Sequence, residues 1–233
     1  MIGLPNLPLP RWALMWTVAF GIYAGLKLMS WMGRSGGRAS PWTHLAYLTA
    51  WPGMNANAFL FTPPADVTSP GRFEWLSAAT KTVTGIVLVR VAIDLSSMCH
   101  DRLAGWIGMV GIVMSLHFGL FHLLSCLWRA CGICATPIMN APPLATSVSD
   151  FWSRRWNLAF RDLASRFVVT PLRRRLGAHG AIAAGFFLSG LIHDVVMSLP
   201  AGGGSGGPTA YFVLQYVATA AERCAAGRRI GLA

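Results

Sequence analysis

An all-α, multi-span integral membrane protein is predicted: a helical bundle of about five transmembrane helices with interfacial or re-entrant helices beside them. Three observations predict it. Of the 233 residues, 54% are hydrophobic and 12% charged, whereas soluble domains carry about 25% charged residues. The apolar residues gather into runs that approach the roughly 20 residues a helix needs to cross a bilayer. Ten Trp are present, several near the ends of those runs, where an indole keeps its N–H in the headgroup layer and its ring in hydrocarbon.

The first run, residues 12–32, has one interruption, Lys27, close enough to an end to snorkel. It lacks a charged n-region and a small-x-small cleavage site, so it is expected to stay in the mature chain. Residues 76–98 are long enough to cross but include Lys81, Arg90 and Asp94, which requires protein or water on one side. Arg90 and Asp94 are four apart and can pair on one helical face. Residues 106–128 and 179–199 are two further spans, each bounded by Arg, Gly or Pro. Residues 208–221 are apolar but short and follow the Gly-Ser segment 202–207, which suits a tilted span or a packed half-helix. Residues 41–64, with Trp42, Trp51-Pro52-Gly53-Met54 and Pro63-Pro64, are too apolar for a free linker and too broken for a span. They are expected to form a re-entrant or interfacial segment buried against the bundle.

With five spans, the basic residues sort by side. One side collects three Arg in 33–75, eight in 129–177 and three after Glu222; the other has Arg11 and Arg102. By the positive-inside rule this places the N-terminus outside and the C-terminus in the cytosol, and a bacterial cytoplasmic membrane is the expected location. The net charge of +11 falls between apolar runs and forms no stripe interleaved with aromatics, which argues against nucleic acid. Cys131-x2-Cys134 lacks a second pair to complete a zinc site, and no metal is expected. His117 and His122, five apart, make a poor chelating pair and are expected as polar contacts within the bundle.

Residues 147–167 open with a Ser-x-x-Asp pattern, Ser147 and Asp150, that starts a helix. At 100° per residue, Trp152, Trp156, Ala159 and Leu163 share one face and Asp150, Arg154, Asn157 and Arg161 the other, the pattern of an amphipathic interfacial helix. Asn157 is the residue that a merely membrane-lying helix explains least. In 179–199, Ala181, Gly185, Ser189 and His193 recur every fourth residue, so a small-residue stripe that permits close approach leads to an ionisable group within a span. That histidine is equally compatible with a hydrogen-bonded bundle contact. There is no Gly-x-Ser-x-Gly elbow, Walker loop or His-Glu-x-x-His.

Three motifs resemble the membrane-bound O-acyltransferases, in particular the wax synthase-like branch. Asp150-Phe-Trp-Ser-Arg-Arg-Trp-Asn157 looks like the family's aromatic-rich motif ending in a functional Asn. Ser189-Gly190-Leu-Ile-His193-Asp194 looks like its Ser-Gly-x-x-His motif, and Trp51-Pro52-Gly53-Met54 a shorter signature nearer the N-terminus. The resemblance covers residues 42–222 of a single domain, 1–233, with Asp194 where Glu is frequent and with a final span of the family expected to be missing. It implies transfer of a fatty acyl group from an acyl thioester, acyl-CoA or an acyl carrier protein, to the hydroxyl of a long-chain alcohol, sterol or glycerolipid.

It implies His193 as general base and Asn157 as a group orienting the donor or its carbonyl. Trp152, Arg154, Arg155, Trp156, Arg161, Ser189 and Asp194 are the implied substrate contacts, with Arg166 joining the arginines that face donor phosphates. No cofactor is required beyond the acyl-CoA substrate. A small transporter with His193, Asp194, Arg90 and Asp94 along a polar path, or a noncatalytic membrane subunit, are the alternatives; matching halves typical of transporters are not evident.

The loop 129–177 is expected on the cytosolic side. A cysteine placed there should resist impermeant thiol reagents in intact cells, and ready labelling would reverse the orientation.

Overall fold

The computed structural model describes residues 9–98 and 100–224, which are helical with short connections. They fall into two compact units. The first takes the described residues of Met1–Met32, Pro143–Arg155 and Phe160–Ala233, the second those of Gly33–Pro142 and Trp156–Ala159.

In the second unit, Ser40 caps α2 (Pro41–Ala50), its hydroxyl accepting from Thr43 N, with Pro41 preset for the first turn. Asn55 does the same for α3 (Ala56–Phe61), accepting from Ala58 N at 3.0 Å. Of the segment expected to be buried, α3 is largely packed in, whereas α2 buries only Tyr47 and leaves Trp42 and Leu45 exposed. Tyr47, Trp51 and Phe59 are buried and pack ring on ring, and Trp128 joins them edge-on to Phe59 while its indole N–H donates to Ala50 O at 3.1 Å.

The long hairpin of this unit is α4 (Arg72–Ser97) against α5 (Asp101–Val113), which continues through a wide π turn (Met114–Leu120) into α6 (Phe121–Ala130). Along α4 the residues at the seam are Ala78, Thr82, Gly85, Val89 and Ala92, spaced four and three alternately. Facing them are Gly108, Gly111, Ser115 and Gly119. A Cβ on Gly111 would lie 2.8 Å from Val89 N, and one on Gly85 would strike the backbone of Ser115. Lipid tails are as apolar as the side chains, so such helices associate through close van der Waals contact, which small residues permit.

The first unit holds α1 (Arg11–Met32), the short α7 (Val148–Asp150), most of α8 (Leu158–Ala164), α9 (Thr170–His193), α10 (Leu199–Ala201) and α11 (Gly207–Arg223). Arg11 donates to Ala201 O at 3.0 Å, tying α1 to α10. Gly177, at φ 68°, breaks α9. The break separates the Arg173-Arg174-Arg175 turn from the apolar part, close to the expected boundary at 179.

Among the described residues, four helical stretches are long and apolar enough to span a membrane: Arg11–Met32, Arg72–Ser97, Asp101–Ala130 and Leu158–Ala201. They carry outward-facing Phe20, Val83, Ile86, Trp106 and Leu188, a lipid-facing surface on an integral membrane protein. The expected fifth, α11, is 17 residues long, about 25 Å at 1.5 Å per residue, and packs along α9.

Two charged residues depart from expectation. Lys27 does not snorkel; it is 2% exposed, on the packed side of α1. Arg129, counted among loop charges, is buried in α6 and pairs with Glu74 of α4, so the loop that follows holds seven Arg, not eight.

Gly111→Leu should push the hairpin apart and cost at least about 1–3 kcal/mol, the usual overpacking range, whereas Gly105→Leu, on the outer face with open space around it, should be tolerated. Thermal unfolding in detergent measures both. Equal midpoints would remove the glycine seam as the basis of this hairpin.

Candidate functional site

The stripe leading to His193 is buried: Ala181, Gly185 and Ser189 all lie on the packed side of α9. Ser189 Oγ bonds back to Gly185 O at 2.8 Å, so its hydroxyl is turned to its own helix, while its carbonyl lies 2.7 Å from His193 Nδ1. A carbonyl only accepts, so Nδ1 carries a hydrogen, and in the neutral imidazole the lone pair is on Nε2. The imidazole rests on Phe212 of α11 with ring centroids 4.7 Å apart.

Beyond His193 the helix widens into a π turn, Asp194–Ser198, a deviation frequent at functional sites. Asp194 accepts from Ser198 Oγ at 2.9 Å, Gly206 N at 2.8 Å, Thr209 N at 3.2 Å and Thr209 Oγ1. Its carboxylate thus holds the glycine turn and the first turn of α11. Gly190, within the same motif, has no room for a side chain: a Cβ would lie 2.6 Å from Thr209 Cα.

The second motif begins where Ser147 caps α7, accepting from Asp150 N at 3.0 Å. Arg155 Nε donates to Asp150 at 2.5 Å, and this bond holds the Asp150 carboxyl below the ordinary carboxylate range. Between them the chain forms another π turn, Phe151–Arg155. Trp152 packs on Phe186 and Phe212, with centroids 5.8 and 5.5 Å away, and its indole N–H donates to Gln215 at 3.0 Å. Trp152 and His193, both expected at the site, therefore meet across Phe212. The arginines divide: Arg155 is spent on Asp150 and Arg161 on Ser153 O and Asp162, whereas Arg154 and Arg166 reach the surface, the latter over the Phe167 ring.

The single amphipathic helix expected over 147–167 is broken at Trp156 and Asn157. Asn157 has φ 40°, a left-handed conformation that Asn tolerates better than most residues. Its N–H points to Met139 Sδ at 3.2 Å and Leu158 N donates to Ile138 O at 2.9 Å. Pairing with the Ile138 carbonyl and the Met139 sulfur wins over helix continuity. Trp156 packs edge-on to Phe118 and does not share the surroundings of Trp152. Trp156 to Ala159 belong to the second unit, while His193 and Trp152 belong to the first.

A third polar cluster, in the second unit, joins Glu74, His122, Cys126 and Arg129. His122 Nε2 lies 3.0 Å from Glu74, the bundle contact expected for it, and Arg129 donates to Glu74, Ser125 Oγ and Cys126 Sγ. Ligand atoms of Glu74, His122 and Cys126 lie within 4.8 Å of one another, a spacing that suits a metal. The guanidinium already supplies the positive charge that these donors answer.

Sequence reasoning missed Phe212, Gln215 and Glu222. Glu222 is buried near the end of α11 and accepts from Val148 N at 2.6 Å and Ser149 N at 2.8 Å. Its only signal was an acidic residue closing an apolar run.

Residues 135–214 match the model of the membrane bound O-acyl transferase family. A long-chain-alcohol O-fatty-acyltransferase of Simmondsia chinensis is 39% identical over 100 residues, 39% of this chain and 28% of that protein. From Arabidopsis thaliana, "Probable long-chain-alcohol O-fatty-acyltransferase 1" is 40% identical over 98 residues, 37% of this chain and 28% of that protein. The relative numbered 7 is 32% identical over 126 residues, 48% and 35% respectively. The chain thus spans about a third or less of the length of these relatives. They are plant proteins, which lends the expected bacterial membrane no support. No solved structure matches. Both the Asn157 and the His193 motifs lie inside the residues that match, so over 135–214 the chain is similar to the membrane bound O-acyl transferase family and, within it, to the long-chain-alcohol O-fatty-acyltransferases.

Proposed function

We propose that this chain transfers a fatty acyl group from an acyl thioester to the hydroxyl of a long-chain alcohol, with His193 as general base. The observation that carries this reading is the Nδ1 contact to Ser189 O, which fixes the tautomer of the neutral imidazole so that Nε2 is the nitrogen able to take a proton. Nε2 takes the hydroxyl proton, the alcohol oxygen attacks the thioester carbonyl carbon, and the C–S bond breaks. The proton held by the imidazolium then passes to the leaving thiolate. Ester and free thiol result, and no enzyme ester forms. Asn157 is assigned to orient the donor carbonyl or to stabilise its developing negative charge.

Acyl-CoA is the proposed donor. Its phosphates belong in water, and Arg154 and Arg166 are exposed where such groups could be met. The orientation proposed with it has the N-terminus outside and residues 129–177 in the cytosol. The alcohol names of the relatives favour a long-chain alcohol over a sterol or glycerolipid.

Purified protein given labelled acyl-CoA and a panel of alcohols, sterols and glycerolipids should form wax ester. General-base catalysis is worth about 100- to 10,000-fold. His193→Ala should lose at least that lower bound while folding normally, and a well-folded variant retaining most activity would remove His193 from the mechanism. Asn157→Ala should lower kcat; a change confined to apparent donor affinity would assign it to binding.

A further inference from the structure

One face of α11 organises both elements of the first unit's site. Phe212, Gln215, Thr219 and Glu222 follow at intervals of three, four and three residues, so they lie within about one quarter of the helix circumference. Phe212 supports the His193 ring and the Trp152 ring, and Gln215 accepts from the Trp152 indole. Glu222 closes the stripe by accepting from the N–H groups of Val148 and Ser149 in the first turn of α7. Those groups have no partner within so short a helix. Arg223 adds a bond from Nε to Ser149 Oγ at 3.3 Å. Gln215 and Glu222 lie beyond the residues that match the family.

We propose that Glu222 is a positioning residue for acyl transfer: by clipping the first turn of α7 to α11, it seats Trp152 on Phe212 beside the proposed base. This rests on the reading of His193 given above. With the clip removed, residues 148–155 lose two of their bonds to α11, leaving the Trp152–Gln215 and Arg223–Ser149 bonds, and the Trp152 ring can shift on Phe212. Displacement of about 1 Å in a site can reduce a rate about 100-fold without any group of the chemistry being touched.

The test compares Glu222→Ala, Glu222→Gln and His193→Ala in the full chain, reading kcat, KM and deuterium uptake by peptides covering 145–156. Glu222→Ala should exchange faster in those peptides, with a kcat about 10- to 100-fold lower and a cooperative unfolding transition retained. Glu222→Gln keeps one carbonyl oxygen as acceptor and should fall between it and the parent in both readouts. Parental exchange and kcat in a folded Glu222→Ala variant overturn the proposal. So does a loss of kcat with unaltered exchange, because the carboxylate would then act other than by holding α7. Should Glu222→Ala fail to fold, Glu222→Gln carries the same two criteria. If His193→Ala keeps its activity, the base assignment fails, and the exchange data still decide whether Glu222 holds α7.

Discussion

A polar group buried away from water must be answered from within the chain, and three carboxylates show how that constraint shapes this protein. Glu74 meets Arg129 and His122, joining the start of α4 to α6. Asp194 gathers hydroxyl and amide donors of the turn before α11, and Glu222 takes two amides of α7. Pairs of this kind contribute little net stability compared with apolar packing of the same volume. What they impose is uniqueness, because a helix that slips out of place strands a charge or a buried amide.

Small residues supply the other half of the design. Where two helices must approach closely, glycine removes the side chain that would hold them apart, as Gly85, Gly111 and Gly119 do between α4 and the α5 hairpin arm. Gly190 does so between α9 and α11. The same rule, read as a four-residue stripe, led to Ala181, Gly185, Ser189 and His193. It went unread along α4 and α5 because a seam on two facing helices is visible only once their pairing is known.

Legibility followed the range of the interaction. Four spans stand out as apolar runs, and the caps Ser40, Asn55 and Ser147 act within three residues. The His193 and Trp152 motifs could be picked out because their chemistry lies in a short stretch. Glu222 could not be: its partners are more than 70 residues away, and an acid at the end of an apolar run reads as a span boundary. Lys27 and Arg129 were misplaced for a related reason. Snorkelling and loop charge are default outcomes for a basic residue near a span end, and the three-dimensional environment of α1 and α6 overrides them. The break at Trp156 and Asn157 hides in a good amphipathic pattern, since helical periodicity cannot report that the Ile138 carbonyl and the Met139 sulfur offer competing partners.

The register of α11 follows from fixing it at two ends. Near its start, Thr209 is held by Asp194 and pressed against Gly190, and near its end Glu222 is held by the amides of α7. The two points are thirteen residues apart, about 20 Å along a helix. A slip of one residue would move each point by about 1.5 Å and turn it by about 100°, breaking both sets of hydrogen bonds at once. Phe212, between them, would rotate off the His193 ring by the same angle. A histidine whose Nδ1 is set by its own helix, at Ser189 O, is thereby given a ring support whose position is set independently, by groups at either end of another helix. The imidazole therefore keeps one orientation only while both ends of α11 stay in register.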